Sequence, residues 1–358
     1  KTAANRFWEL SSNKDKATIK DVEQAFSVER LNKEFFEKYK SFYEDFVQHI
    51  TGKRFEKEKG KWIEITKGKA IAEHKLVFNS DDKLARNFVK LLLGRLVFIQ
   101  FLQKKGWMGV PADSKKWKNG DKDFINNLFI ACKKKDKFHS DVLHDLFYKA
   151  FNTPNRPNDV FGLTGTRVPY LNGGLFENEY VKTELINFPS IYFQDLFDFF
   201  GQYNFTIDEN DPMDHEVGID PEMLGHIFEN LLEDNKDKGA FYTPKPIVQY
   251  MCQESLIQYL KTYLVEHKLW SNDEKKANKL FEGIQNFVRK KTASEIIDFD
   301  EQIATALRNV KICDPAIGSG AFPMGLLNEI FYCMNVLYNA SPDVVGEVWE
   351  MSSWQADI

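Results

Sequence analysis

Residues 309–322 read Asn309-Val310-Lys311-Ile312-Cys313-Asp314-Pro315-Ala316-Ile317-Gly318-Ser319-Gly320-Ala321-Phe322. The apolar run predicts a strand beginning at Asn309, with Cys313 as a buried strand residue, an acidic strand end at Asp314 and a tight glycine turn. The apolar spacing that follows predicts a helix from Ala321 to Tyr338. Strand, acid, glycine turn and helix in this order form a unit that cradles a nucleotide-like ligand at the carboxyl edge of a parallel sheet. Gly318 and Gly320 allow a sharp turn and leave room where a Cβ would intrude, and the first N–H groups of the helix point back at the turn. Taken alone, Asp314 is equally a turn former or a cap for the next helix, and Phe322 is either a pocket wall or a core residue.

A second stretch has a comparable layout. Gly239-Ala240-Phe241-Tyr242-Thr243-Pro244 precedes a helical run from Ile247 to Leu260. Thr243 is suited to cap that helix and Pro244 to occupy its first position, where the missing N–H costs nothing. Such a helix start favours an anion. Without other context it is a helix start and nothing more.

Taken together, the two stretches point further. The composite Asp-Pro-Ala-x-Gly-Ser-Gly-Ala-Phe over 314–322 resembles the S-adenosylmethionine motif of adenine-N6 DNA methyltransferases, and residues 239–244 resemble the motif called X in the same enzymes. About seventy residues separate them, as in family members that carry motif X first. The resemblance implies a Rossmann-like α/β methyltransferase domain in which Tyr242, Thr243, Pro244, Asp314, Pro315, Ala316, Gly318, Ser319, Gly320 and Phe322 bind S-adenosylmethionine. It places Thr243 by the cofactor's carboxylate and lets Asp314 orient the methionine end. Three further stretches, Leu91–Trp107, Val168–Glu177 and Leu224–Leu232, look like the helical region preceding the methyltransferase core in single-chain type IIG restriction-modification enzymes. The resemblance thus extends over roughly residues 85 to 330 and implies double-stranded DNA as the partner.

The family's target-base motif, Asn/Asp-Pro-Pro-Tyr/Phe, occurs nowhere in the 358 residues. No catalytic residue is therefore assigned within the chain. Beginning at Lys1 and ending at Ile358, it is expected to be an internal piece of a larger protein. That piece comprises a helical connector over 1–215 and the opening part of the methyltransferase domain over 216–358, mainly α overall. Two alternatives stay open: a type I modification subunit or phage-exclusion methyltransferase, and a non-catalytic helical DNA-binding or spacer module. Type I subunits usually carry Gly-Thr-Gly-Gly-Phe where this chain has Gly318-Ser319-Gly320-Ala321-Phe322, which favours type IIG. A PD-(D/E)XK nuclease is not legible in the chain.

Charge is unevenly distributed. Residues 1–150 hold 32 Lys+Arg against 21 Asp+Glu, or +11, and the remainder 16 against 32, or −16. A basic half suits a surface that tracks phosphates. Its lysines cluster around Trp62, at Lys115, Lys116 and Lys118, and at Lys133-Lys134-Lys135, although lysine runs are more often solvated faces. The four cysteines, at 132, 252, 313 and 333, have no CxxC spacing, and the seven histidines form no catalytic or ligand set. Both observations point to a reducing, cytoplasmic setting without a metal site. No apolar run reaches membrane-spanning length. Helical spacing or helix-start signals mark Val22–Ile50, Asp82–Lys105, Lys122–Lys134, His139–Ala150, Asp220–Glu233, Pro244–Leu264 and Asp273–Lys290, with a second helical stretch, Pro342 to Met351, after Tyr338. A hairpin is expected within 51–78 and a structured loop over 154–174.

Overall fold

The computed structural model describes residues 18, 28–58, 61–171, 174–177, 180–205, 218–219, 243, 245–315, 317 and 320–349. The chain divides into two compact units, residues 1–233 and 234–358.

In the first unit, α1 (Val28–Thr51) turns an aromatic stripe inward. Phe35, Tyr39, Tyr43, Phe46, Val47 and Ile50 recur at three- and four-residue steps and are all buried, the pattern of a helix with one core-facing side. A hairpin follows, β1 (Lys53–Glu58) and β2 (Lys61–Thr66), antiparallel with Phe55 opposite Glu64. Then come α2 (Ala72–Phe78) and α3 (Asp82–Lys104). Asp81 caps α3, accepting from the Lys83 and Leu84 N–H groups at 2.8 and 3.2 Å, as an N-cap aspartate does. Helix α3 is buried along most of its length, including Arg86 and Arg95.

Two buried arginines tie their surroundings to α3. Arg86 reaches Glu44 of α1 and Glu64 of β2 at 3.5 and 3.2 Å and lies over the Phe55 ring. Glu44 also accepts the Phe55 N–H at 2.8 Å. The hairpin is thereby fastened to both helices through groups that would otherwise be costly to bury. Arg95 donates to the carbonyls of Leu175 and Glu177 at 2.6 and 2.8 Å and to the Tyr148 hydroxyl at 2.9 Å. Two stretches singled out in the sequence, Leu91–Trp107 and Val168–Glu177, thus meet at one guanidinium.

The rest of the unit is α4 (Phe124–Ala131), a wide-turned helical stretch over His139–Leu143 and Asp145–Phe151, and α5 (Ser190–Phe200). Two-residue strands, β3 (Val160–Phe161) with β4 (Thr166–Arg167), and β5 (Asn204–Phe205) with β6 (Gly218–Ile219), add little sheet. The core is dominated by phenylalanine: Phe129, Phe138, Phe193 and Phe197 pack edge-on, tilted and, for Phe193 with Phe197, stacked, with centroids 5.1 to 6.4 Å apart, near the preferred geometry of aromatic pairs.

The regular structure among the second unit's described residues is helical: α6 (Lys245–Glu266), α7 (Glu274–Lys290), α8 (Asp300–Asn309), α9 (Ala321–Ala340) and α10 (Pro342–Trp349). Leu256, Ile257, Leu260, Ile284, Phe287, Ile303, Leu307, Cys333 and Leu337 form its core. Asp273 caps α7, accepting from the Lys276 N–H at 3.0 Å. Beside the core, Glu329 of α9 accepts from Gln253 of α6 at 3.1 Å and pairs with Lys291, the left-handed residue ending α7, at 2.5 Å. One carboxylate therefore joins three helices.

The strand expected from Asn309 is not formed. Asn309 closes α8, and residues 310–314 carry neither helix nor ladder. Lys311, Ile312 and Cys313 are exposed, so Cys313 is not a buried strand residue. A strand is held by a neighbour's hydrogen bonds, and none of the strand ladders among the described residues includes this segment. The helix expected over Asp220–Glu233 lies outside the described residues.

Candidate functional site

The site read from the sequence depends on bringing together the turns before α6 and α9. Their helices are in direct contact. A Cβ on Gly325, the fifth residue of α9, would lie 2.7 Å from Val248 and 2.9 Å from the Cys252 sulfur. Real Cβ contacts are not that short, so only glycine permits this approach. The Cys252 thiol also contacts the Phe322 carbonyl at 3.6 Å. Val248 and Cys252 belong to the first two turns of α6, and Phe322 and Gly325 to the first two of α9. Both helix starts are therefore packed on each other, and Thr243 and Gly320 each lie five residues upstream of that contact.

Gly320 is the N-cap of α9 with φ 81°, and a Cβ there would meet no atom of the described residues within 4 Å. Glycine is needed at this position for its backbone angle. No side chain caps the helix. Pro323 has no N–H, and the first intrahelical bond comes from the Met324 N–H to the Gly320 carbonyl at 3.0 Å.

Of the ten residues assigned to the cofactor, Thr243, Asp314, Pro315, Gly320 and Phe322 are among the described ones. Thr243, Asp314, Gly320 and Phe322 are half-buried and Pro315 is exposed. Phe322 stands outside the unit's buried core. The described part of helix α6 begins at Lys245. Tyr242, Pro244, Ala316, Gly318 and Ser319 lie outside the described residues.

Sequence reasoning passed over Gly325 and Cys252. The signal was there in principle: a glycine inside an apolar helical run marks a close approach more often than a turn. Burial raises the Cys252 thiol above its ordinary value, helped by the nearby Glu329 carboxylate. Burial likewise raises Cys333 to about 12. Both are packing groups rather than nucleophiles.

In the first unit the lysine clusters differ from one another. Lys53 is paired with Asp82 at 2.6 Å, Arg54 with Asp45 at 2.8 Å and Lys67 with Glu56 at 3.2 Å. Lys115, Lys116, Lys118, Lys133 and Lys134 are exposed. Among the described residues no three His, Cys, Asp or Glu side chains converge as metal ligands. No described helix is long and apolar enough to cross a membrane.

No protein-family profile matches the chain, and no solved structure does. The chain is 26% identical over 389 aligned positions to a protein of Methanocaldococcus jannaschii that is provisionally named a type II restriction enzyme and methyltransferase. The similarity covers 92% of this chain and 30% of that protein, so the chain spans under a third of its relative's length.

Proposed function

We propose that this chain is the connector and cofactor-binding portion of a restriction-modification DNA methyltransferase, and that its second unit supplies part of a site for S-adenosylmethionine. The observation that supports the reading is the Gly325 contact, which packs α6 and α9 against each other near their starts. The residues present fit the group: a positive-φ glycine at 320, an uncapped helix start and a half-buried carboxylate at Asp314. Thr243 and the α6 start would hold the cofactor's carboxylate, and Asp314 its ammonium. Gly318, Ser319 and Gly320 would admit close approach, while Tyr242, Pro244, Pro315, Ala316 and Phe322 would shape the rim. The cofactor supplies an electrophilic methyl group, and the acceptor in the whole protein is the exocyclic N6 amine of adenine in double-stranded DNA. Such a base must leave the stack to be reached. Residues 310–314 would become the first strand of the Rossmann-like sheet once a partner strand hydrogen-bonds to them. The exposed lysines of the first 150 residues would contribute phosphate contacts.

Calorimetric titration with S-adenosylmethionine tests this reading. Saturable binding is expected in the unaltered chain and is expected to weaken at least tenfold in Asp314→Ala and Thr243→Ala. The absence of binding, or binding indifferent to both substitutions, would refute a cofactor site in this unit. A spacer reading is favoured by the absence of the target-base tetrapeptide. It predicts salt-dependent DNA binding with no response to the cofactor.

A further inference from the structure

A cavity of about 730 Å3 opens in the first unit between α3, the start of α4 and the end of α5. That volume suits a small organic ligand. Its wall includes Gln100, which is only 8% exposed, and the orientation of this amide is fixed by its neighbours. The Ile125 N–H donates to Gln103 at 3.1 Å, so the contacting Gln103 atom is its oxygen. The Gln103 Nε2 therefore donates to Gln100 at 2.7 Å, and the contacting Gln100 atom is again an oxygen. A backbone donor at one end leaves Gln100 with its NH2 group as the free end. Among the described residues this NH2 has no protein partner, although the side chain is more than nine-tenths buried and lines the cavity.

The rim has the opposite character. Asn126 donates to an Asp123 carboxylate oxygen at 3.2 Å, so its own oxygen is left over. Gln202 donates to the Asp198 carbonyl at 3.1 Å, which leaves the Gln202 oxygen free. Asp198 accepts from Gln194 at 3.1 Å through one oxygen only. The cavity thus presents one NH2 donor inside and a rim of acceptor oxygens, two carboxylates among them. Ile125 and Phe197 also border it, each almost fully buried, so the little apolar surface it has comes mainly from the edge of Phe197. A phosphate or carboxylate would be repelled by Asp123 and Asp198. A simple alkylamine offers nothing for the Gln100 donor.

We propose that this cavity binds a planar heterocycle with a ring-nitrogen acceptor beside an exocyclic amine, the edge that adenine and cytosine present. The ring acceptor meets the Gln100 NH2, the exocyclic amine donates to the rim oxygens, and the ring lies against the edge of Phe197. The assignment is independent of the cofactor site proposed for the second unit.

The test is titration of the whole chain with adenosine, cytidine, uridine and agmatine, followed by heat of binding, with Gln100→Leu and Asp198→Asn as variants. Adenosine or cytidine is expected to saturate below about 1 mM and uridine to bind at least tenfold more weakly, because its carbonyls face the rim acceptors. Gln100→Leu is expected to lose the binding. The exposed Asp198→Asn, which leaves the core untouched, is expected to weaken it at least threefold. Displacement of the nucleoside by a single-stranded deoxyadenosine oligomer would support the proposal and identify nucleic acid as the source. Failure of the oligomer to compete would support it with the free nucleoside as the source. No saturable binding, equal affinity for uridine or agmatine, or indifference to both variants would overturn it.

Discussion

At the scale of single residues, Arg95 shows how a charged side chain can specify a fold from inside. Its fork serves two loop carbonyls and one hydroxyl while its face lies near the rings of Phe147, Tyr148 and Phe176. Arg95→Leu removes all three hydrogen bonds from this buried position and is expected to lower the stability of the first unit by about 3 kcal/mol, measured by urea unfolding. Arg95→Lys should recover little, because an ammonium cannot reproduce the planar fork. His139 is the second such residue. Its Nδ1 donates to the Ile186 carbonyl at 2.8 Å, which fixes the neutral tautomer. Burial is the main reason that its pKa is lowered to about 4, with His144 and Arg95 adding to it. A depressed folded-state value means that the unfolded chain binds the proton first as pH falls. Stability is therefore intact above the unfolded value near 6.5 and is lost toward pH 4, by roughly 3 kcal/mol. The difference between the wild type and His139→Gln, followed through this range, should shrink by that amount; a constant difference would refute the assignment.

Among the elements, the α6 and α9 pair can be tested through two glycines of opposite character. Gly325→Ala must push Val248 and Cys252 aside and is expected to destabilise the second unit by about 1 to 3 kcal/mol, despite the better helix propensity of alanine. Gly346 in α10 is the control. Its Cβ would meet only Tyr338, at an ordinary 3.8 Å, so Gly346→Ala should be neutral or stabilise by up to about 1 kcal/mol. Equal effects at the two positions would contradict the close approach. If the paired helix starts form the cofactor site, Gly325→Ala should also weaken S-adenosylmethionine. Helices α3, α7 and α9 are legible in the sequence because caps at Asp81, Asp273 and Gly320 coincide with apolar periodicity. Helix α8 hid within a charged, short-period segment, Asp300-Glu301-Gln302, where local signals are weak. The apolar run at 310–313 misled for another reason: β propensity describes fit to a neighbouring strand rather than a property of the run itself.

In the whole molecule, each unit has its own core, one rich in phenylalanine and the other aliphatic. Calorimetric unfolding is expected to show more than one cooperative step. Arg95→Leu should shift one step and Gly325→Ala another; a single transition moved equally by both would argue against separate cores. What the sequence determined by itself is mainly local: the helical character, the glycine that starts α9 at 320, the hairpin within 51–78 and the basic first 150 residues. Each rests on periodicity, caps or composition within a few neighbouring residues. What only the tertiary structure decided involves residues far apart in the chain. The meeting of Leu91–Trp107 with Val168–Glu177 at Arg95, the approach of α6 to α9 at Gly325, and the Gln103 to Gln100 relay beside the cavity depend on which faces pack together. That residues 310–313 join no strand ladder among the described residues was likewise invisible, because a strand exists only where another chain segment accepts and donates its backbone hydrogen bonds.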